Sequence, residues 1–232
     1  VSGRALVAGA SGALGGAIAA ALAADGSEVV GTSRTGAAAG AGLVALDPLG
    51  APGTLAAVAA RGPYDAVVWA QGVNVNDGAA DVDAEAFREV LDANVTFVVA
   101  SLQALLEHGA IRDGARLVVI SSIWETLARA GKFSYTISKA AIGGLVRAAS
   151  VDLAPRGILV NGVLPSVIDT PMTRAMLSED AVASVAGQTG FRRLATPQDV
   201  AALVVSLASA SNTGVTGQSI PVDLGFSHAR TL

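Results

Sequence analysis

Short apolar runs rich in Val, Leu and Ile alternate along the chain with Ala-rich stretches of helical character. That alternation predicts an α/β architecture, a doubly wound parallel sheet with helices on both faces. Strands are expected at Ala5–Ala8, Glu28–Thr32, Leu43–Leu46, Ala66–Ala70, Arg116–Ile120, Ile158–Leu164 and Ser219–Val222. Several are mostly apolar, as strands buried on both faces must be. Pro221 has no N–H to give a ladder, which puts the last strand at a sheet edge. Helices are expected near Leu14–Ala24, Leu55–Ala60, Ala84–Glu107, Tyr135–Leu153 and Pro197–Ala208. The last has a clear start, with Thr196 as N-cap, Pro197 at the first helical position and Asp199 in the first turn. Gly36–Gly42 is of low complexity and reads as a loop. With no repeat and no linker, residues 1–232 read as one domain.

Composition narrows the function. Aromatic residues make up only 4% of the chain, so the core must be built from Ala, Val, Leu and Ile. A formal charge of −4 argues against nucleic acid as a partner, since phosphate binding needs a basic field. No apolar run approaches the roughly 18 residues of a spanning helix without a Gly or a charge, so no membrane association is expected. The absence of cysteine removes disulfides, thiolate catalysis and Cys-bound zinc, and fits a cytoplasmic protein. His108 and His228 match no ligand spacing, and no metal site is expected. Val1-Ser2-Gly3 runs almost directly into a strand, and no signal peptide is expected.

Directly after the first strand comes Gly9-Ala10-Ser11-Gly12-Ala13-Leu14-Gly15-Gly16, leading into an Ala-rich helix. Glycines at such a turn let the backbone approach a pyrophosphate, and the amides at the helix start attract its charge. The site read here comprises Gly9, Ser11, Gly12, Leu14 and Gly15. An acidic residue closing the second strand would mark NAD. Thr32-Ser33-Arg34-Thr35 stands there instead. Arg34 can fork onto a 2′-phosphate while Ser33 and Thr35 add hydroxyls, which favours NADP.

The chain has two tyrosines and two lysines, and one of each, Tyr135 and Lys139, sit four residues apart. On a helix that spacing stacks phenol and ammonium on one face, where the lysine can hold the tyrosine hydroxyl near ionisation. The Gly-rich turn, Ser121-Ser122 and this pair, in this order, resemble the short-chain dehydrogenase/reductase family. The resemblance covers essentially the whole chain. It includes Asp47, Gly72, Asn94-Val95, Pro165-to-Thr170, Thr216-Gly217-Gln218 and Val222-to-Gly225. Departures are Ala13 in place of the middle glycine of the turn, Ala70-Gln71 in place of Asn-Ala, Ser166 where glycine is common, and Leu224 in place of a closing glycine.

The resemblance implies a Rossmann-like fold and an NADPH-dependent reductase of a small keto compound or a 3-oxoacyl group. Tyr135 would be the general acid for reduction and Lys139 would lower its pKa and hold the nicotinamide ribose. Ser122 would hydrogen-bond the substrate oxygen, and Asn94 would hold a water linking Lys139 to solvent. Ala70, Gly72, Pro165, Ile168 and Thr170 would join the cofactor site, with Asp47 at the adenine. Trp124, Glu125 and Val167, with Phe133 and Met172, are the candidates for substrate contact. The family also implies a homotetramer, with the outer faces of Ala84–Glu107 and Tyr135–Leu153 as candidate interfaces. A non-catalytic NADP-binding regulator on the same fold is the alternative.

Overall fold

A computed structural model describes residues 3–36 and 42–228, without the side chain of Met172. Residues 37–41 of the expected Gly36–Gly42 loop therefore lie outside the described residues, as does the Met172 substrate contact. Among the described residues, β1 (Gly3–Ala8), β2 (Ser27–Ser33), β3 (Val44–Ala45), β4 (Tyr64–Trp69), β5 (Ile111–Ile120), β6 (Leu159–Pro165) and β7 (Ser219–Val222) form one sheet. Its order is β3-β2-β1-β4-β5-β6-β7 and every pairing is parallel. β7 is an edge strand, as Pro221 requires. β7 has the expected bounds, β1, β2, β4 and β6 shift by one or two residues at their ends, and β3 and β5 differ in ways that matter more. β3 is only two residues long, and β5 starts at Ile111 because Tyr64 pairs with Ile111 ahead of an irregularity in register. The polar Arg112-Asp113-Gly114 segment hides that extension in the sequence.

The sheet separates two apolar layers. Along β4 the period of two sends Val67 and Trp69 into one and Ala66 and Val68 into the other. α1 (Ala13–Ala24) and α8 (Pro197–Ala208) cover one face through Ile18, Leu22, Val200 and Val204. α2 (Thr54–Ala59), α4 (Phe97–Glu107) and α5 (Phe133–Asp152) cover the other through Val58, Val98, Leu105, Ile142 and Val146. Trp69 is almost fully buried, and its indole N–H donates to Ser101 of α4 at 2.8 Å, so this bulky residue leaves no unpaired donor.

The helix expected over Ala84–Glu107 is present as one continuous run whose hydrogen-bond pattern changes midway. α3 (Ala84–Leu91) and α4 are joined by a π-helical turn at Asp92–Thr96, which carries Asn94. By length and composition alone this 24-residue stretch contains a window apolar enough to cross a membrane. Its inward stripe of Val90, Asn94, Val98, Ser101 and Leu105 is instead buried within the protein, as for a sheet-covering helix. α6 (Pro171–Met176) and α7 (Glu179–Gly187) add two helices that the apolar pattern does not announce.

The turn after β1 depends on close packing. Gly15 is buried at the start of α1, and a Cβ there would collide with the carbonyl oxygen of Gly9. Gly15→Ala is expected to cost about 1–3 kcal/mol through overpacking, which for a chain of this size lowers Tm by about 2–12 °C. Thermal unfolding checks this, and an unchanged Tm would mean the turn yields freely.

Candidate active site

β1 and β4 lie side by side but send their following helices to opposite faces, α1 to one and the α3–α4 stretch to the other. Such a switch point opens a crevice beyond the carboxyl ends of the strands. A cavity of about 910 Å³ lies there, bounded by the turn at Gly9, Ser11 and Gly12, by Thr32, Ser33 and Arg34, by Asp47, and by the stretch from Ala70 to Val75. Gly9 has φ +80°, and a side chain on it would stand 2.8 Å from the backbone nitrogen of Gln71. At Gly12 a Cβ would meet only the Gly9 carbonyl oxygen, at 3.5 Å, so this edge of the turn is open to a ligand.

The donors around this cavity fit a dinucleotide. Gly12 supplies no side-chain cap to α1, leaving the helix-start amides for an anion. The hydroxyls of Thr32 and Ser33 are buried and have no hydrogen-bond partner among the described residues. Buried polar atoms without a protein partner are rare in finished sites, and here both belong to residues of the cavity wall. Arg34 is exposed at its rim.

A second cavity of about 450 Å³ shares the stretch from Ala70 to Asn74 with the first and extends to Ser122, Tyr135 and Lys139. Ser122 comes just after β5 and caps the 3-10 turn Ile123–Glu125, accepting from the Trp124 N–H at 3.3 Å. Tyr135 and Lys139 stack on α5, with the ammonium 5.6 Å from the centroid of the phenol ring. Lys139 is only 4% exposed, and its Nζ donates to the Ile120 carbonyl at 3.1 Å. Burial pulls its pKa down to about 8, and the Glu125 charge works against that fall. Burial raises the Tyr135 phenol above its usual value, while a hydrogen bond with Ser122 opposes the rise. The two shifts drive the values apart, the lysine falling to about 8 while the phenol rises from 10.0, so near neutral pH the site holds an ammonium beside a protonated phenol.

Asn94, 2% exposed, ties this centre together. Its Oδ1 accepts from Val73 N at 2.8 Å, while its Nδ2 donates to the Val73 carbonyl at 3.0 Å and to Ser138 Oγ at 2.9 Å. These contacts make it a clamp between the loop after β4 and α5. Gly72 lies in the same place, where a Cβ would stand 2.9 Å from Asn94 Oδ1. Lys132, at the N-cap position of α5, holds the rest of that loop. Its ammonium donates to Asn74 Oδ1 at 2.8 Å and to Asn76 Oδ1 at 2.5 Å, and lies 5.9 Å from the Tyr135 ring centroid.

Of the residues expected at the site, Leu14, Pro165 and Ile168 join Ser122, Tyr135 and Lys139 around the second cavity. Gly15 is packed beneath the turn, and Thr35 stands outside the first cavity's wall. The Thr170 hydroxyl caps α6 and bonds Thr173. Trp124, Glu125 and Val167 lie outside the walls of both cavities. Trp124 packs edge-on against Phe226, with ring centroids 6.5 Å apart, and Glu125 packs against α5. Phe133 is half-exposed at the start of α5. The structure adds Thr32, Gln71, Val73, Asn74, Ser138 and Lys132. Lys132 carried one signal, being one of only two lysines.

An architecture with a strand-order switch, a Gly-rich turn and a Ser-Tyr-Lys centre defines a nucleotide-dependent oxidoreductase of the doubly wound class. Comparison with known proteins agrees. A family model described as enoyl-(acyl carrier protein) reductase matches residues 9–227. The 3-oxoacyl-(acyl-carrier-protein) reductase of Escherichia coli (strain K12) is 32% identical over 235 residues, covering 96% of each chain. The acetoacetyl-CoA reductase of Acinetobacter sp. (strain RA3849) is 31% identical over 170 residues, covering 73% of this chain and 68% of that one. The crystal structure of a short chain dehydrogenase family protein from Francisella tularensis superposes with a TM-score of 0.88 at 25% identity, covering 99% of this chain and 100% of that one. The chain belongs to the short-chain dehydrogenase/reductase family and is an oxidoreductase of that type.

Proposed function

We propose that the protein reduces a ketone, a small keto compound or a 3-oxoacyl group, to a secondary alcohol with NADPH. The observation that carries this reading is the convergence of Ser122, Tyr135 and Lys139 on one cavity that runs into the dinucleotide-shaped crevice. When bound, the dinucleotide supplies the hydride to the carbonyl carbon. Ser122 hydrogen-bonds the carbonyl oxygen as charge develops on it, and Tyr135 gives that oxygen its proton. Lys139 offsets the charge left on the phenol, and the resemblance routes reprotonation past Lys139 to a water at Asn94. Arg34 and the hydroxyls of Ser33 and Thr32 favour the 2′-phosphate of NADP. A phenol beside a serine hydroxyl serves a carbonyl oxygen, which favours keto over enoyl reduction. NADPH consumption against a panel of ketones and 3-oxoacyl thioesters tests the reading, with NADH and an enoyl thioester beside it. Reduction of the enoyl thioester alone would overturn it.

Reduction needs Lys139 as ammonium and Tyr135 as phenol. Activity is therefore expected to be full below the Lys139 value of about 8 and to fall as pH rises through it. A pH–rate profile checks this, and a rate rising steadily to pH 10 would contradict it.

The chain is proposed to act as one catalytic unit in the cytoplasm, which its lack of cysteine suits. A homotetramer is proposed from the family and from exposed apolar residues on the outer helices, Val99 on α4 and Val151 on α5. Light scattering is expected to give four times the 22.9 kDa chain mass. A monomer at micromolar concentration removes the idea.

A further inference from the structure

Glu125 ends the 3-10 turn after Ser122, and its carboxyl is directed at α5. A Cβ built on Gly143 would stand 2.5 Å from Glu125 Oε1 and 2.8 Å from its Cδ, so the carboxyl fills a notch that exists only because residue 143 has no side chain. The other oxygen, Oε2, is buried with no hydrogen-bond partner among the described residues. An unpaired buried carboxylate oxygen is costly, and its persistence calls for a compensating interaction. Gly143 lies one turn beyond Lys139 on the same buried face of α5. Positions so spaced are roughly 5–6 Å apart at Cβ. The notch therefore seats a carboxyl on the same buried face of α5 as Lys139, whose ammonium has a neutral hydrogen-bond partner, the Ile120 carbonyl.

We propose that Glu125, seated in the Gly143 notch, is a positioning residue that keeps Lys139 in its ammonium form. This inference rests on the proposed role of Lys139 in proton handling. Other charges near the site are engaged elsewhere. Lys132 is held by Asn74 and Asn76, and Asp77 accepts from the Ser134 N–H at 3.0 Å and from its hydroxyl. Arg174 pairs with Asp169. The groups that β5 and the π turn present, the Ile120 carbonyl and Asn94, are uncharged. Among the described residues, Glu125 is the charged side chain that opposes the desolvation of Lys139.

With only two lysines in the chain, protein labelled with carbon-13 at lysine Cε gives two lysine signals, which Lys132→Arg assigns. Glu125→Gln is expected to lower the Lys139 titration midpoint by about 0.5–1.5 pH units, the effect of removing one charge at this range. Glu125→Asp, which keeps the charge, is expected to retain most of the parent value. A purely structural role for Glu125 would change thermal stability and leave the midpoint in place. Should the glutamine variant not fold, Glu125→Met makes the same measurement. An unchanged midpoint in a folded, charge-free variant overturns the inference. A shifted midpoint in a protein that reduces no ketone leaves this inference standing and removes the proposed function.

Discussion

Tyr135→Phe is expected to bind NADPH as the parent does and to lose at least the roughly 10²–10⁴-fold in turnover that a positioned proton donor contributes. The substitution deletes one oxygen and little volume. The fold has small stake in that oxygen, because the α5 core is made by Ile142 and Val146 and the clamp by Asn94, Ser138 and Lys132. Lys139→Ala is expected to behave differently. It removes the ammonium 5.6 Å from the Tyr135 ring and also the proposed ribose contact, so cofactor binding and turnover fall together. Steady-state kinetics with calorimetric cofactor titration on both variants separate the two patterns. A Tyr135→Phe protein with near-parent turnover would reduce the pair to a coincidence of helix spacing.

Arg34→Asp is expected to reverse the cofactor preference. Arg34 lines the larger cavity with Ser33, whose buried hydroxyl has no hydrogen-bond partner among the described residues. A hydrogen bond to a charged group contributes about 1.5–3 kcal/mol, so losing it weakens NADPH by about 10–100-fold, before the repulsion that aspartate adds. The same carboxylate can accept from the ribose hydroxyls of NADH. Titration of both cofactors against both proteins decides the matter. A parent that binds NADH more tightly than NADPH would show that Arg34 is a plain surface residue.

The parts legible in the sequence were those whose cause is local. Strand periodicity, the Gly-rich turn, the Thr196-Pro197 start of α8 and the Tyr135-Lys139 spacing are all written within a few residues. α6 and α7 carry local signals of the same kind, Thr170-Pro171 and Ser178-Glu179-Asp180 at their caps and first turns, but their apolar patterns are too short to mark a helix. The start of α5 was not legible. Its cap comes from Asp77, 57 residues earlier, which accepts from Ser134 and moves the helix start back to Phe133. The same limit hid the Lys132 clamp, whose partners Asn74 and Asn76 become neighbours only when the loop after β4 meets α5. The packing of Glu125 against Gly143 was equally hidden, because the two residues lie on different elements and meet only in the fold.

The most direct test of the account is product analysis after incubating the parent and Tyr135→Phe proteins with NADPH and a 3-oxoacyl thioester such as acetoacetyl-CoA, with simple ketones in parallel. The account predicts a 3-hydroxyacyl or secondary-alcohol product in equal amount to the NADPH consumed by the parent, and almost none from Tyr135→Phe. Equal product from the two proteins, or NADPH binding with no reduction of any ketone by the parent, would contradict it.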